Sequence, residues 1–127
     1  MYNTKDFQSA LLTLLLTHDS TIYYDEAPYP TDQAMPYEVV SEISYRNDDE
    51  SGDAIDIKID FWAEDKTGEG DTIQAKADAM KLFCDKKIVI FGTNFATVYF
   101  DGQYPVKDTD STLLHTQQRY TGRIFSV

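Results

Sequence analysis

The clearest pattern in the sequence is a regular alternation of apolar and polar positions between residues 53 and 62. Apolar side chains at every second position, from 55 to 61, alternate with a polar row formed by Asp56, Lys58 and Asp60, with Trp62 at its end. Because successive side chains of a strand point to opposite faces of a sheet, this segment is predicted to be a strand with one buried face and one wet face.

Further strands are predicted on both sides of this segment. Residues 37–45 alternate as well, so that Val39 and Ile43 share one face while Glu38 and Val40 share the other. An acidic loop, residues 47–52, joins them to the first segment in a hairpin whose loop is too long for a tight turn. Shorter strands are predicted over residues 20–24 and 96–100, the latter ended by Asp101-Gly102, and a long terminal strand over residues 113–127. Residues 88–91 are predicted to form either a short apolar strand or an edge turn.

Two helices are predicted from apolar stripes at helical spacing. The first is capped by Asn3 and stops near His18. The second is capped by Asp71, with Gln74 placed for the reciprocal bond of a capping box, and it carries Lys76 on its polar side. Its apolar stripe consists of Ile73, Ala77, Met80 and Cys84.

The order helix, strands, helix, strands predicts an α+β fold with a mainly antiparallel sheet packed by the two helices. The length of 127 residues predicts a single domain, residues 1–127, large enough to bury a core without disulfides or metals.

The charge balance narrows the classes of function. With 22 acidic and 11 basic residues, the chain has a formal net charge of −11. Such a surface repels DNA phosphates and anionic membranes, so general nucleic-acid or membrane binding is not expected. Cys84 is the single cysteine, which excludes an intramolecular disulfide and suggests a reducing compartment. The N-terminal residues do not have the form of a signal peptide, so we expect synthesis in the cytosol.

Candidate catalytic residues do not combine into a mechanism. His18 is interpreted as a helix-terminal histidine that the helix dipole favours, and His115 as a solitary surface residue on a strand. Cys84 lies on an apolar stripe with no histidine near it in sequence, which favours a buried structural cysteine. The glycines of residues 68–70 lack the lysine of a phosphate-binding loop. The sequence therefore predicts neither enzymatic activity nor a cofactor.

The acidic loop is the remaining candidate for a binding site. Asp48, Asp49, Glu50 and Asp53 could gather a calcium ion, but their spacing does not match the calcium loop with its central glycine and distal glutamate. A solvated loop without a metal is therefore predicted. The tyrosines, nine in all, suit either strands or interfaces.

The order of the segments resembles one protein family. The segments that carry the resemblance are the Leu-rich N-terminal helix, Ile22-Tyr23, Ala27-Pro28, Met35-Pro36-Tyr37-Glu38-Val39-Val40, the strand of residues 55–62, the Ala-rich helix from Thr72 to Phe83 and the closing segment Tyr120-Thr121-Gly122-Arg123-Ile124-Phe125. Together they are similar to the tail terminator proteins (tail completion, or tail-to-head joining, proteins) of long-tailed bacteriophages and prophages.

This resemblance implies a structural virion protein. It implies a homo-oligomeric ring, usually a hexamer, that caps the tail tube, ends tube polymerisation and presents a joining surface to the head-tail connector protein. The partners implied are other copies of the chain, the tail tube protein and the connector, with no membrane. DNA would pass through the ring without sequence readout. The expected location is the virion, and the host cytoplasm during assembly.

The acidic loop and the polar row are the candidate surfaces for such a ring. We predict that they face a neighbouring subunit or the lumen; the residues are Asp48, Asp49, Glu50, Asp53, Asp56, Lys58 and Asp60. Repulsion between acidic copies predicts a protein that is monomeric at low salt and associates at higher salt or on tube ends. The alternatives are a head-closure protein, the tube subunit, or a small α+β ligand-binding module or enzyme.

Overall fold

The computed structural model describes residues 3–24, 36–47, 53–64, 69–106 and 113–126. These ranges hold two helices and six strands: α1 (Thr4–His18), β1 (Ile22–Tyr24), β2 (Tyr37–Arg46), β3 (Asp53–Glu64), α2 (Glu69–Cys84), β4 (Lys87–Phe91), β5 (Asn94–Pro105) and β6 (Leu113–Ser126). The strands form one sheet in the order β1-β2-β3-β6-β5-β4. Only the β1-β2 pair is parallel. The predicted α+β fold is confirmed.

Helix α1 begins and ends where the sequence predicts. The side chain of Asn3 accepts a hydrogen bond from the Lys5 backbone N–H at 2.9 Å, which satisfies one of the free donors of the first turn. Asp19 is the C-cap. The helix buries Phe7, Leu11 and Leu15, which lie one above the other at intervals of four residues.

Helix α2 begins earlier than predicted, at Glu69, so Asp71 lies inside the helix. The prediction of a capping box formed by Asp71 and Gln74 is therefore wrong. Gln74 instead donates to Asp78 Oδ1, one turn further on, at 2.9 Å. The first turn of α2 lies against the sheet, where a Cβ at Gly70 would make an ordinary contact, 3.9 Å from Leu114 Cδ1. The predicted stripe is buried as expected: Ile73, Ala77, Met80 and Cys84.

The hairpin of β2 and β3 contains an irregularity that the alternation does not reveal. The pairing register shifts between Val40 and Glu42, which makes Ser41 an extra residue. Beyond this point the faces of β2 are exchanged, so Ile43 joins Val40 on the buried face while Glu42 turns outward. The predicted division of residues 37–45 into two faces is therefore wrong after position 41.

Strand β5 continues past Asp101-Gly102, where the sequence predicts its end. The register shifts between Phe100 and Gly102, so the turn-forming pair is absorbed as a bulge. The 14-residue strand β6 supplies partners as far as Pro105. Strand β4 reaches β5 through the two-residue turn of Gly92 and Thr93, in which Gly92 has a φ of 61°.

Both helices pack on one face of the sheet, here called the helix-covered face; the opposite face is called the open face. Every second residue of β3 from position 55 onward lies on the helix-covered face and is at most 2% exposed: Ile55, Ile57, Ile59, Phe61 and Ala63. Gly122 lets β6 lie close to β5, since a Cβ there would be 2.1 Å from the carbonyl oxygen of Thr97. The core residues shared by strands and helices are Phe7, Leu15, Ile55, Ile57, Ile59, Phe61, Met80 and Tyr120.

Candidate assembly surface

The polar row of β3 lies on the open face, where two of its members pair with charged residues of β2. Arg46 Nε is 2.9 Å from Asp56 Oδ2, and Lys58 Nζ is 2.7 Å from Glu42 Oε2. All four side chains are at least 36% exposed. Exposed ion pairs add little to stability because water screens them, so these charges remain available to a partner.

Asp60, the third member of the row, is not a wet residue. It is 6% exposed and accepts hydrogen bonds from the His115 ring at 2.6 Å and from Gln117 Nε2 at 3.1 Å. Burial by itself raises the pKa of Asp60, but the bonds from His115, Ser41 and Gln117 outweigh it and hold the pKa below its ordinary value. The prediction that Asp60 belongs to a wet row is therefore wrong.

His115 is not the solitary surface residue that the sequence suggests. Its ring stacks on the indole of Trp62 with centroids 3.8 Å apart, and only 11% of its side chain is exposed. The two residues are direct partners in the β3-β6 ladder. Trp62, His115 and Asp60 thus form a packed polar cluster at one end of the open face.

The remaining predicted site residues divide into two groups. Asp53 is the first residue of β3 and is half-buried opposite Ile124. Asp48, Asp49 and Glu50 lie outside the described residues. The structure therefore brings Asp56, Lys58 and Asp60 onto one face, while the role of the whole set in assembly stays a prediction.

A second polar cluster, which the sequence did not reveal, lies where β1 and β2 meet α2. Lys76 Nζ is 3.0 Å from Asp19 Oδ2 and 3.4 Å from Glu38 Oε1, and the Glu38 side chain is fully buried. The Thr21 hydroxyl lies 2.6 Å from Asp19 Oδ1 and 2.7 Å from Glu38 Oε2. A hydroxyl has one hydrogen to donate, so a protonated Glu38 satisfies the second contact.

The pKa values of this cluster agree with that geometry. Burial, followed by the neighbouring Asp19 carboxylate, raises the pKa of Glu38 to about 7. The pKa of Asp19 lies below its ordinary value, because bonds from Glu38, Thr21 and Lys76 outweigh its own desolvation. Below about pH 7, Glu38 therefore carries a proton while Asp19 stays ionised, and Lys76, predicted to lie on a polar helix face, contacts both.

Neither polar cluster has the arrangement of a nucleophilic site. In a catalytic triad the hydroxyl must bond the histidine, whereas Ser41 and His115 both bond Asp60. Burial raises the pKa of the Cys84 thiol to about 12, which keeps it protonated at neutral pH, as expected of a buried structural cysteine. Among the described residues no group of three or more His, Cys, Asp or Glu side chains could hold a metal ion.

The opposite corner of the open face is apolar. Ile88 and Ile90 of β4 are 55% and 73% exposed, and the rings of Phe95 and Phe125 stack beside them with centroids 5.3 Å apart. These four residues are here called the apolar corner. Isolated apolar residues are common on protein surfaces, but a contiguous group on an edge strand is typical of an interaction site.

Comparison with known proteins gives a likeness in fold. No protein-family model matches the sequence. A search of curated proteins also found no match. The structure matches a chain in the virion of a native gene transfer agent particle with a TM-score of 0.65 and 15% sequence identity. The match covers 95% of this chain and 90% of that chain, so the likeness in fold extends over nearly the full length of both. None of the described helices is both long and apolar enough to cross a membrane.

Proposed function

We propose that this protein is a structural virion component that caps a phage tail tube, ends tube polymerisation and forms the joining surface for the head connector. The observation that carries the proposal is the likeness, over nearly the full length of both chains, to a chain of a gene transfer agent virion. The order of segments that resembles tail terminator proteins supports the narrower role.

The proposed function requires a ring, and symmetry sets what each subunit of a ring must present. A ring forms when each subunit presents two different surfaces and the rotation between neighbours closes. The open face and the sheet edges supply distinct surfaces: a row of exposed charges in the centre and the apolar corner at one end. We propose a hexamer that contacts the tube on one side and the connector on the other.

The acidic residues near the start of β3 have a proposed place in the ring. Asp48, Asp49, Glu50, Asp53 and Asp56 would line the lumen or face a neighbouring subunit. An acidic lumen repels the phosphates of DNA, so DNA would pass through the ring without being held.

The net charge of −11 also governs when rings form. Copies of the chain repel one another over about 30 Å at 0.01 M ionic strength but only about 3 Å at 1 M. We therefore expect a monomer at low salt and association at high salt or on a tube end.

Electron microscopy of the purified protein, combined with sedimentation, tests the proposal. Sedimentation should show monomers at low salt and a single closed species at high salt, and negative-stain images should then show rings of uniform diameter. Association that does not change with salt would contradict the charge account. Long tubes instead of rings would identify the tube subunit and overturn the capping role.

A further inference from the structure

Strand β1 is held in the sheet by few backbone hydrogen bonds. It is an edge strand of three residues, Ile22–Tyr24, and among the described residues only β2 pairs with it. The pairing is parallel, which is slightly less stable per residue than the antiparallel pairing in the rest of the sheet. Short edge segments open at a lower free energy than the centre of a domain, so side-chain contacts determine how firmly β1 is held.

Four side chains tie the start of β1 to its neighbours; they are here called the acid cluster and are Asp19, Thr21, Glu38 and Lys76. Thr21 directly precedes β1, and its carbonyl oxygen accepts a hydrogen bond from the Glu38 N–H at 3.2 Å. Its hydroxyl contacts the carboxyl groups of Asp19, the C-cap of α1, and of Glu38 on β2. Lys76 of α2 contacts the same two carboxyl groups. The acid cluster therefore joins the end of α1 and the start of β1 to β2 and α2.

The acid cluster is satisfied only while Glu38 carries a proton. The single hydrogen of the Thr21 hydroxyl can be donated to Asp19 or to Glu38, but not to both. Glu38 Oε1 is buried and has no hydrogen-bond partner among the described residues. Lys76 Nζ faces this oxygen at 3.4 Å but lies closer to Asp19 Oδ2, at 3.0 Å. An ionised Glu38 would thus be a buried carboxylate with too few hydrogen bonds to stabilise its charge.

The charged groups around Glu38 make its ionisation unfavourable. Asp19 faces it from the end of α1 and Lys76 from α2, whereas its ladder partners, Ile22 on β1 and Phe61 on β3, carry no charge. Burial and the neighbouring Asp19 raise the pKa of Glu38 to about 7, so its proton is lost to water near neutral pH. The pKa of Asp19 is lowered, and contacts with the two carboxyl groups outweigh desolvation and raise the pKa of Lys76, so both stay charged. Loss of the proton therefore leaves two carboxylates facing one ammonium group.

We propose that the acid cluster is a pH-sensitive switch that keeps β1 in the sheet while Glu38 is protonated and releases β1 when Glu38 ionises. Release of β1 lets water reach the Glu38 carboxylate and separates it from Asp19, which removes the cost of a buried unpaired charge. It gives up only a three-residue ladder and the burial of Ile22, while the core between the helices and β3 stays intact. The switch is a property of the single chain and does not depend on the proposed ring.

Hydrogen exchange followed by mass spectrometry tests the switch. Protection factors, which divide out the effect of pH on the intrinsic exchange rate, are compared at pH 5 and pH 8 for peptides that contain residues 19–24. Once water reaches Glu38, its pKa returns to the ordinary value of 4.5, so ionisation favours the open form. We expect the protection of residues 19–24 to fall about tenfold or more between the two pH values. An unchanged protection would overturn the proposal.

Urea separates the release of β1 from unfolding of the whole domain. Release exposes little surface, so about 1 M urea should barely change the protection of residues 19–24. The same urea concentration should lower the protection of β3, whose amides exchange when the core unfolds. Equal protection and equal urea dependence of β1 and β3 would mean that β1 opens only with the whole domain, which contradicts the switch.

The variant Glu38→Gln tests whether Glu38 is the group that titrates. The amide is neutral at every pH, can donate to Asp19 and keeps an oxygen that faces Lys76. The protection of residues 19–24 should therefore be the same at pH 5 and pH 8. The matched control, Glu42→Gln, removes an exposed carboxyl group from the same strand and should keep the fall seen in the wild type. A fall that persists in Glu38→Gln would assign the pH dependence to another group and reject the switch.

The variant Asp19→Asn is a second test, which leaves Glu38 in place. It removes the negative charge beside Glu38, so ionisation of Glu38 becomes less costly in the closed form. The fall in protection between pH 5 and pH 8 should then be smaller than in the wild type. An undiminished fall would show that the pair of carboxyl groups does not control β1.

Discussion

The two faces of strand β3 contribute very differently to the stability of this fold. On the helix-covered face, Ile55, Ile57 and Ile59 are at most 2% exposed and pack beneath the helices. On the open face, the adjacent residues Asp56 and Lys58 form exposed ion pairs with β2. Burial of a branched apolar side chain contributes about 1.5 to 3 kcal/mol, whereas an exposed ion pair contributes little. The helix-covered face therefore holds the domain together. The open face contributes little to stability, so its residues can serve the contacts of the proposed assembly.

The open face is not uniform, however. Asp60 lies in the same row as Asp56 but is buried, with His115 and Gln117 as its partners. A lysine at position 60 would replace the acceptor of the His115 and Gln117 hydrogen bonds with a buried ammonium group, which accepts none, so a loss of assembly there would not be distinguishable from unfolding. Asp56 is the member of the row at which assembly can be tested without disturbing the core.

The largest effect is expected on the helix-covered face. Ile57→Ala should lower the free energy of unfolding by about 3 kcal/mol, because it removes buried methyl groups and leaves a cavity beneath the helices. Chemical denaturation followed by circular dichroism measures the change. A loss below about 1 kcal/mol would mean that this row does not form the core.

The matched control is the adjacent residue on the open face. Asp56→Lys should change the free energy of unfolding by less than about 0.5 kcal/mol, since the side chain is exposed. The same variant should reduce ring formation if the polar row faces a neighbour or the lumen. Unchanged ring assembly would show that this row faces solvent and has no role in assembly.

A smaller effect on the free energy of unfolding, which changes with pH, is expected from Glu38. Its pKa is raised from 4.5 to about 7 on folding, so the folded protein binds the proton more tightly than the unfolded chain. The resulting stability is present below pH 4.5 and is lost as the pH rises toward about 7. Glu38→Gln keeps the neutral form at every pH. It should therefore flatten the pH profile and make the protein about 2 kcal/mol more stable than the wild type at pH 8.

The control for this pH profile lies on the same strand. Glu42 is on the open face, where the hydrogen bond and charge of Lys58 hold its pKa below the ordinary value. Its contribution has the opposite sign: it is present above the unfolded pKa and is lost as the pH falls, so Glu42→Gln should not stabilise the protein at pH 8. The measurement is the free energy of unfolding of both variants from pH 4 to 8. An identical dependence on pH for Glu38→Gln and Glu42→Gln would contradict the buried pair of Glu38 and Asp19.

The features that the sequence predicted correctly are local. The alternation of β3 and the apolar stripes of α1 and α2 repeat within a few residues, so their buried faces follow from periodicity alone. The cap at Asn3 is equally local. These patterns were sufficient for the fold class, because helices and strands with one apolar side must pack together.

The features that the sequence did not reveal depend on contacts between distant positions. Asp60 meets His115 across 55 residues, and Lys76 meets Asp19 across 57. The bulge at Ser41 depends on how β2 fits against β3. Gln118 is fully buried, although glutamine is usually exposed, because its side chain donates to the carbonyl oxygen of Ala77 on α2 at 2.7 Å. Such pairs become visible only when the strand order is known.

The central claim, that this chain caps a tail tube, is tested most directly by deleting its gene in the cell that makes the particle and imaging the products by electron microscopy. The capping role predicts tubes of irregular length that are not joined to heads, and the wild-type gene supplied in trans should restore uniform, joined tails. Tails of normal length that merely fail to join would indicate a head-closure protein, and the absence of tubes would indicate the tube subunit. Normal, complete particles would contradict the account altogether.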